Sequence, residues 1–284
     1  LGLWPAGVDK DGLLFCNQYF ADYPKNIPDG KFDPLTVEPK WMLLSYHKPA
    51  YASSSRSGFD PQNAFDESIK SAWSATGGNS GEWLSVDLGK EYDVEAVQVN
   101  FADCFTKKKR APMKEYGGTF TQERYIEEEL VRYEYRIEYS SNGTDWIPYG
   151  EIQNTFFPHK LIPCRAKARY IRIVFASAPY GQNFSISGLR VFGLDNNKKP
   201  SAVSGENAER TSATEARLSW NSQNDAMGYC IRLGIAPDKL YNSILLYGQN
   251  DYTVTFLNKE TEKYYFAVDS FNESGITKGS INEF

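Results

Sequence analysis

Histidine is nearly absent from this chain: His47 and His159 are the two in 284 residues. A histidine-based metal cage, or a Ser–His or Cys–His nucleophile pair, therefore has little to draw on. The four cysteines, Cys16, Cys104, Cys164 and Cys230, form no C-x-x-C pair, which argues against zinc. A basic field is missing too. The net charge is −5 and the pI near 5.3, the wrong sign for gripping nucleic-acid phosphates. No apolar run approaches the roughly 20 residues of a membrane helix. The opening Leu1-Gly2-Leu3-Trp4-Pro5 has neither a basic n-region nor an apolar h-region, so it is no signal peptide and reads as the middle of a longer chain. No Gly-x-Ser-x-Gly elbow, no glycine-rich phosphate loop and no strong helical periodicity are found.

What is abundant is aromatic: 19 Tyr, 17 Phe and 6 Trp, or 15% of the chain. Rings suit pleated surfaces. They serve either as sandwich core or as exposed sugar-stacking faces. The strand signals are plain. Tyr133-Glu134-Tyr135-Arg136-Ile137-Glu138-Tyr139 alternates ring or aliphatic with charge. Val97, Val99 and Phe101 share one face, and Ile171, Ile173 and Phe175 another. Leu84, Val86 and Leu88 line a strand that Gly89 is expected to stop, and Leu189 and Val191 mark a closing strand ending at Gly193. Asn142-Gly143 predicts a tight hairpin turn. Cys104 and Cys164 fall at strand ends in this region, as a disulfide or as two free buried thiols.

Leu194-Asp195-Asn196-Asn197-Lys198-Lys199-Pro200 is polar and proline-ended, a linker. Beyond it, Ala216/Leu218/Trp220, Tyr229/Ile231/Leu233, Tyr252/Val254/Phe256 and Tyr264/Phe266/Val268 predict a second sandwich. The first 47 residues hold only three short apolar pieces, Leu13-Leu14-Phe15, Tyr19-Phe20 and Trp41-Met42-Leu43-Leu44. That is too little to close a core, so this segment is expected to pack on the first sandwich or on a part of the protein outside this chain. Residues 105–129 break the pattern. Lys107-Lys108-Lys109-Arg110 followed by Glu127-Glu128-Glu129 reads as a solvated, self-neutralising loop, or as a basic patch for an acidic sugar.

Several pieces in order carry a resemblance: Asn63-Ala64-Phe65-Asp66-Glu67-Ser68, Ser71-Ala72-Trp73, Glu82-Trp83-Leu84-Ser85-Val86-Asp87-Leu88-Gly89, Arg169-Tyr170-Ile171-Arg172-Ile173 and Ile186-Ser187-Gly188-Leu189-Arg190-Val191-Phe192-Gly193. Together they resemble the coagulation factor V/VIII C-type, or discoidin, domain, and within it the family 32 carbohydrate-binding modules. Trp220, and Tyr264 ahead of Asn272 and Gly275, resemble the core tryptophan and tyrosine corner of a fibronectin type III domain. Ile235–Tyr241 and Val268–Thr277 resemble C-terminal modules of secreted bacterial glycosidases related to family 43. Leu3–Asp9, Gly12–Phe15 and Ala21–Pro24 resemble the closing edge of such an enzyme's five-bladed propeller. The implied architecture is all-β: a propeller-edge segment (1–47), a discoidin-like jelly-roll sandwich (48–194) and a fibronectin type III-like sandwich (195–284).

That resemblance implies two sites. A structural calcium is expected at the Phe65–Ala72 loop, held by Phe65, Asp66, Ser68 and Ser71. Here Ser71 stands where threonine is usual, Gly188 stands where a late glutamate is expected, and Glu67 is a candidate to compensate. The alternative is a self-satisfied turn around Asp66. Carbohydrate is expected on the Tyr180-Gly181-Gln182-Asn183-Phe184 loop, with Tyr180, Asn183 and Phe184 joined by Arg56 and Trp73. The alternative is that Phe184 and Trp73 plug the core. Glycoside hydrolysis needs two opposed carboxylates around a pocket, which one propeller edge cannot enclose. The expectation is therefore a non-catalytic accessory region that binds polysaccharide or glycan, or buttresses a catalytic propeller domain, in an extracellular, cell-surface or periplasmic setting. Alternatives are a free-standing adhesin or lectin, and part of an active glycoside hydrolase whose catalytic residues lie on sequence outside this chain. Neither nucleic acid nor a transmembrane segment is implied.

Overall fold

The computed structural model describes residues 4–102, 104, 105, 132–155, 157 and 159–284. The basic run at 107–110 and the acidic run at 127–129 lie outside them. The chain is all-β, as expected, with three short 3-10 turns among the described residues. It divides into two compact units: a central one, Leu44–Phe192, and a terminal one that combines Leu1–Leu43 with Gly193–Phe284.

The N-terminal stretch carries β1 (Ala6–Val8), β2 (Leu14–Cys16) and β3 (Met42–Leu43). The central unit carries β4 (Ala50–Ala52), β5 (Trp73–Ser74), β6 (Trp83–Phe101), β7 (Tyr133–Ser140), β8 (Ile147–Thr155), β9 (His159–Ser177) and β10 (Ser185–Leu194). The strand order β10-β6-β9-β7-β8 runs through it, with β4 on β6 and β5 on β10. Strands β6 and β9, 19 residues each, are the frame. Their pairing slips between Asp87 and Tyr92, which divides each into two arms. Gly89, at φ 89°, lies inside that slip, so it bends β6 where a stop was expected. On the first arm, Leu84, Val86, Ile171, Ile173, Tyr135 and Ile137 alternate into the core, each 0–1% exposed. Their neighbours Ser85, Asp87, Tyr170, Arg172, Arg136 and Glu138 take the outer face, by the period of two. The Asn142-Gly143 turn closes the β7–β8 hairpin with Gly143 at φ 78°, packed on the Tyr170 ring. Strand β8 is exposed along most of its length and contains Pro148, an edge-strand composition that carries little hydrophobic signal.

The terminal unit carries β11 (Asn207–Arg210), β12 (Ala216–Ser219), β13 (Gly228–Gly234), β14 (Asn242–Tyr247), β15 (Asp251–Val254), β16 (Tyr265–Asn272), β17 (Gly275–Thr277) and β18 (Asn282–Glu283). One sheet is ordered β11-β12-β15 and the other β14-β13-β16-β17, with β18 on β16. Ala216, Leu218, Trp220, Ile231, Leu233, Val254, Phe266 and Val268 form its core. Phe256 does not join them. Strand β15 stops at Val254, and Phe256 is 52% exposed. Two tyrosines serve the loops alike. The Tyr264 hydroxyl accepts from Asn258 N at 2.7 Å, and the Tyr229 hydroxyl from Gln223 N at 2.7 Å, both six residues upstream. Each ring fills core while its oxygen satisfies a loop amide.

The N-terminal stretch packs on this same terminal sandwich, where the first sandwich or a part of the protein outside this chain was expected. Phe20 meets Phe271 edge-on at 5.1 Å, Phe15 stacks on Tyr241 at 4.6 Å, and the hydroxyls of Tyr23 and Tyr247 lie 2.7 Å apart. Lys239 bridges Asp9 and Asp11 at 3.1 and 2.6 Å, and Lys10 reaches Asp238 at 2.8 Å. Tyr241 also donates to Asp9, and burial and that carboxylate push its phenol up to about 12. A segment with too few apolar residues for its own core has borrowed one.

Candidate functional site

The loops at one end of the central unit converge around β5. Its Ser74 pairs with Ser185 of β10, while Ser74 O accepts from Arg56 N at 2.8 Å. Ala75 N donates to Phe184 O at 2.9 Å. Thus the 53–59, 73–82 and 182–184 segments are neighbours, as expected of Arg56, Trp73 and the Asn183-Phe184 loop. Gly78 is required there, since a Cβ would stand 2.5 Å from Gln182 O.

The side chains are disposed differently from the expectation. Phe184 and Trp73 are 0% exposed, and Phe184 stacks on Phe175 at 4.3 Å. A buried ring offers no face to a sugar, so these two are core plugs. Trp73 still shapes the surface above it: its indole N–H donates to Ser54 O at 3.1 Å and Ser55 Oγ at 3.2 Å, fixing the loop that carries Arg56. Asn183 is likewise buried, its amide donating to Ala75 O at 2.9 Å. The Tyr180 side chain lies outside the described residues.

Arg56 is exposed, and its guanidinium lies over the Phe105 ring at 3.9 Å; Phe59 meets the same ring edge-on at 5.0 Å. Phe105 holds a positive φ of 57°, a costly backbone state for an aromatic residue. Beside this pair, the Glu82 carboxylate accepts from the hydroxyls of Ser53 and Ser54, and Ser54 Oγ in turn accepts from Thr76 N at 3.1 Å. The accessible chemistry is therefore a planar cation on a ring, flanked by hydroxyls and a carboxylate. Phe105, Phe59, Thr76 and Glu82 were missed in the sequence. Phe105 sits beyond the strand expected at Val97–Phe101, and nothing local reveals that a residue 49 positions after Arg56 covers it.

The expected calcium loop is closed on itself. Asp66 accepts from Ser68 N at 2.9 Å and Ser71 Oγ at 2.6 Å, and Phe65 O accepts from His47 N at 2.9 Å. Glu67, at φ 59°, holds Arg190 by both oxygens, at 3.0 and 2.9 Å. Arg190 is 5% exposed and also donates to Gln98 at 3.2 Å. A hard cation wants six to eight oxygens. This loop presents oxygens already in hydrogen bonds, beside a guanidinium that would repel the ion. Among the described residues no group of three or more His, Cys, Asp or Glu could hold a metal. The residues present do not fit calcium. All four cysteines are free thiols, and burial pushes that of Cys164 up to about 12.

A family model described as the F5/8 type C domain matches residues 49–124. No curated protein matches the chain. Among solved structures, the chain is similar to chitosan-binding module 1 of a chitosanase/glucanase from Paenibacillus sp. IK-5, at 22% identity over 54% of this chain and 99% of that one, with a TM-score of 0.42. Chitosan-binding module 2 of the same enzyme, in complex with chitotriose, shares 17% identity over 53% and 99%, with a TM-score of 0.41. A Clostridium perfringens module, CpGH89CBM32-4 in complex with GlcNAc-α-1,4-galactose, shares 15% identity over 55% and 96%, with a TM-score of 0.39.

Proposed function

We propose that the central unit is a carbohydrate-binding module whose contact face is the loop end built on Arg56 and Phe105. The observation that carries this reading is the exposed guanidinium lying on a partly exposed ring, beside Glu82 and a row of hydroxyls. Rings stack on the C–H faces of sugars, while a guanidinium and a carboxylate take hydroxyl pairs. The family match over 49–124 and the chitosan-binding modules named above support saccharide as the ligand class. The module binds by contact alone, and its role is to hold an attached activity near its polymer. The finer reading is an accessory region of a secreted bacterial, family 43-like glycoside hydrolase, ending in a fibronectin type III-like sandwich. It rests on the resemblances at Leu3–Asp9, Ile235–Tyr241 and Val268–Thr277 and on the Tyr264 hydrogen bond to Asn258 N.

Such a shallow face buries little ligand surface, so a Kd on the order of 0.1–1 mM is expected. Affinity electrophoresis of the full chain in gels of chitosan, β-glucan and arabinan tests it. Retardation that disappears in Arg56→Ala and Phe105→Ala supports the reading. Migration unchanged in every polymer refutes it. The parent hydrolase is tested by the coding sequence upstream of Leu1: propeller sequence there supports it, and a signal peptide directly upstream favours a free-standing lectin.

A further inference from the structure

The central unit has a second polar surface on the outer face of the sheet formed by β4, the first arm of β6, β9, β7 and β8; it adjoins the loop end at Trp83, whose backbone N donates to Ser53 Oγ at 2.9 Å. Pairing places Tyr51, Ser85, Arg172 and Glu138 in one row across four strands. The next row holds Trp83, Val174 and Arg136. Glu138 is a carboxylate with only 2% of its side chain exposed, on the side of the sheet turned away from the core. It is covered by two arginines. Arg136 Nε approaches one oxygen at 2.5 Å and Arg172 Nε the other at 2.5 Å. Trp146, at the start of the β8 arm, lies over Arg172 with its ring centroid 4.1 Å from the guanidinium carbon, and Tyr170 stands 6.4 Å from Trp146.

Two guanidiniums therefore share one carboxylate. Each spends only its Nε on it, and neither makes a further hydrogen bond to protein among the described residues. The neighbouring Arg169–Asp87 pair is bidentate, at 2.7 and 2.8 Å, and balanced. One positive charge is left over, and the terminal N–H groups of both guanidiniums have no hydrogen-bond partner among the described residues. Arg136 sits at the slip in the β7–β8 register, a bulge of the kind that re-aims a side chain.

The terminal unit supplies an internal control. Asp269 is also a buried outer-face carboxylate under two cations, Arg232 at 2.8 Å and Lys278 at 3.6 Å. There the cluster is closed by the N-terminal stretch: Tyr19 donates to Asp269 at 2.8 Å, and Glu38 neutralises Lys278 at 2.9 Å. The same arrangement on the central unit lacks its second anion.

We propose that the Arg136–Glu138–Arg172 cluster, flanked by Trp146, Tyr51 and Trp83, is a second binding surface, for an anionic saccharide. A carboxylate or sulfate on the sugar completes the charge and takes N–H donors that Glu138 leaves unused, a geometry that guanidinium matches bidentately. The flanking rings receive the sugar's C–H faces. The surface does not depend on the loop-end reading.

The test is calorimetric titration of the full chain with an oligogalacturonate hexamer, its methyl ester and a sulfated dextran oligomer. Binding of the free acid that weakens with salt, and at least tenfold weaker binding of the ester, is expected. Preference for the sulfated oligomer over the acid would assign sulfate as the anion, and preference for the acid carboxylate. Arg136→Gln, at a guanidinium 46% exposed and so safe for folding, is expected to weaken binding about tenfold, one charge-assisted contact. Arg217→Gln, at an exposed ion pair of the terminal unit, is expected to leave it unchanged. The indole N–H resonance of Trp146 should shift on titration of the wild-type chain. Equal binding of acid and ester, no binding of either anionic oligomer, wild-type affinity in Arg136→Gln, or the same loss in Arg217→Gln would each overturn the proposal.

Discussion

The two units use charge in opposite ways. In the terminal unit the ionic groups that join the N-terminal stretch to the sandwich satisfy one another: Lys239 by Asp9 and Asp11, Lys10 by Asp238, Arg232 and Lys278 by Asp269 and Glu38. In the central unit, polar groups come to the surface with capacity to spare. Arg56 lies on Phe105 with no carboxylate partner among the described residues, and Arg136 with Arg172 outnumber Glu138. The difference separates a unit whose polar chemistry holds the chain together from one whose polar chemistry is open to a ligand.

That contrast can be broken by mutation. The largest effect is expected at Asp269, 0% exposed, where Asp269→Ala strands Arg232; a loss of about 3–5 kcal/mol in urea unfolding is expected. Phe184→Ala should cost a similar amount, about 3–5 kcal/mol, because it removes core rather than a sugar-stacking face. A variant that keeps its stability but no longer binds saccharide would return Phe184 to the ligand site. Next comes the ion pair in the loop once expected to hold calcium. Arg190→Met leaves Glu67 uncompensated and should cost about 3 kcal/mol, whereas a chelator should leave the Tm of the wild-type chain unmoved. A chelator-induced fall in Tm would reinstate the metal.

Smaller effects sharpen the comparison. Tyr264→Phe deletes a single hydrogen bond to Asn258 N, and about 1 kcal/mol is expected. The smallest effect concerns pH. The Arg169 guanidinium beside Asp87 holds that carboxyl below its ordinary value, helped by Gly89 N though opposed by burial. Its contribution is complete above the unfolded carboxyl value of about 3.9 and is lost as pH falls through the lower folded value. Asp87→Asn should therefore flatten the acid limb of the stability curve below about pH 4 and lower stability at neutral pH. An unchanged acid limb would show that the pair contributes nothing.

The alternation of Tyr133–Tyr139, of Ile171/Ile173/Phe175 and of Ala216/Leu218/Trp220 was legible because it is local: each strand states its own buried face. The same logic failed where pattern and partner part company. Gly89 reads as a stop but bends a strand, because β9 continues alongside it. Strand β8 is nearly silent, being an exposed edge. Phe256 continues a strand pattern that no partner extends.

The local pattern of side chains by itself determined the all-β class, most buried strand faces and the Asn142-Gly143 turn, since backbone period and turn chemistry depend on near neighbours. Tertiary structure alone decided which rings are buried, which carboxylates are closed and where the N-terminal stretch docks. Arg190 meets Glu67 across 123 residues and Tyr19 meets Asp269 across 250. Exposure and charge balance are sums over partners distant in sequence, and they decide whether Phe184 is core, whether the Asp66 loop takes a metal and whether Glu138 has one cation too many.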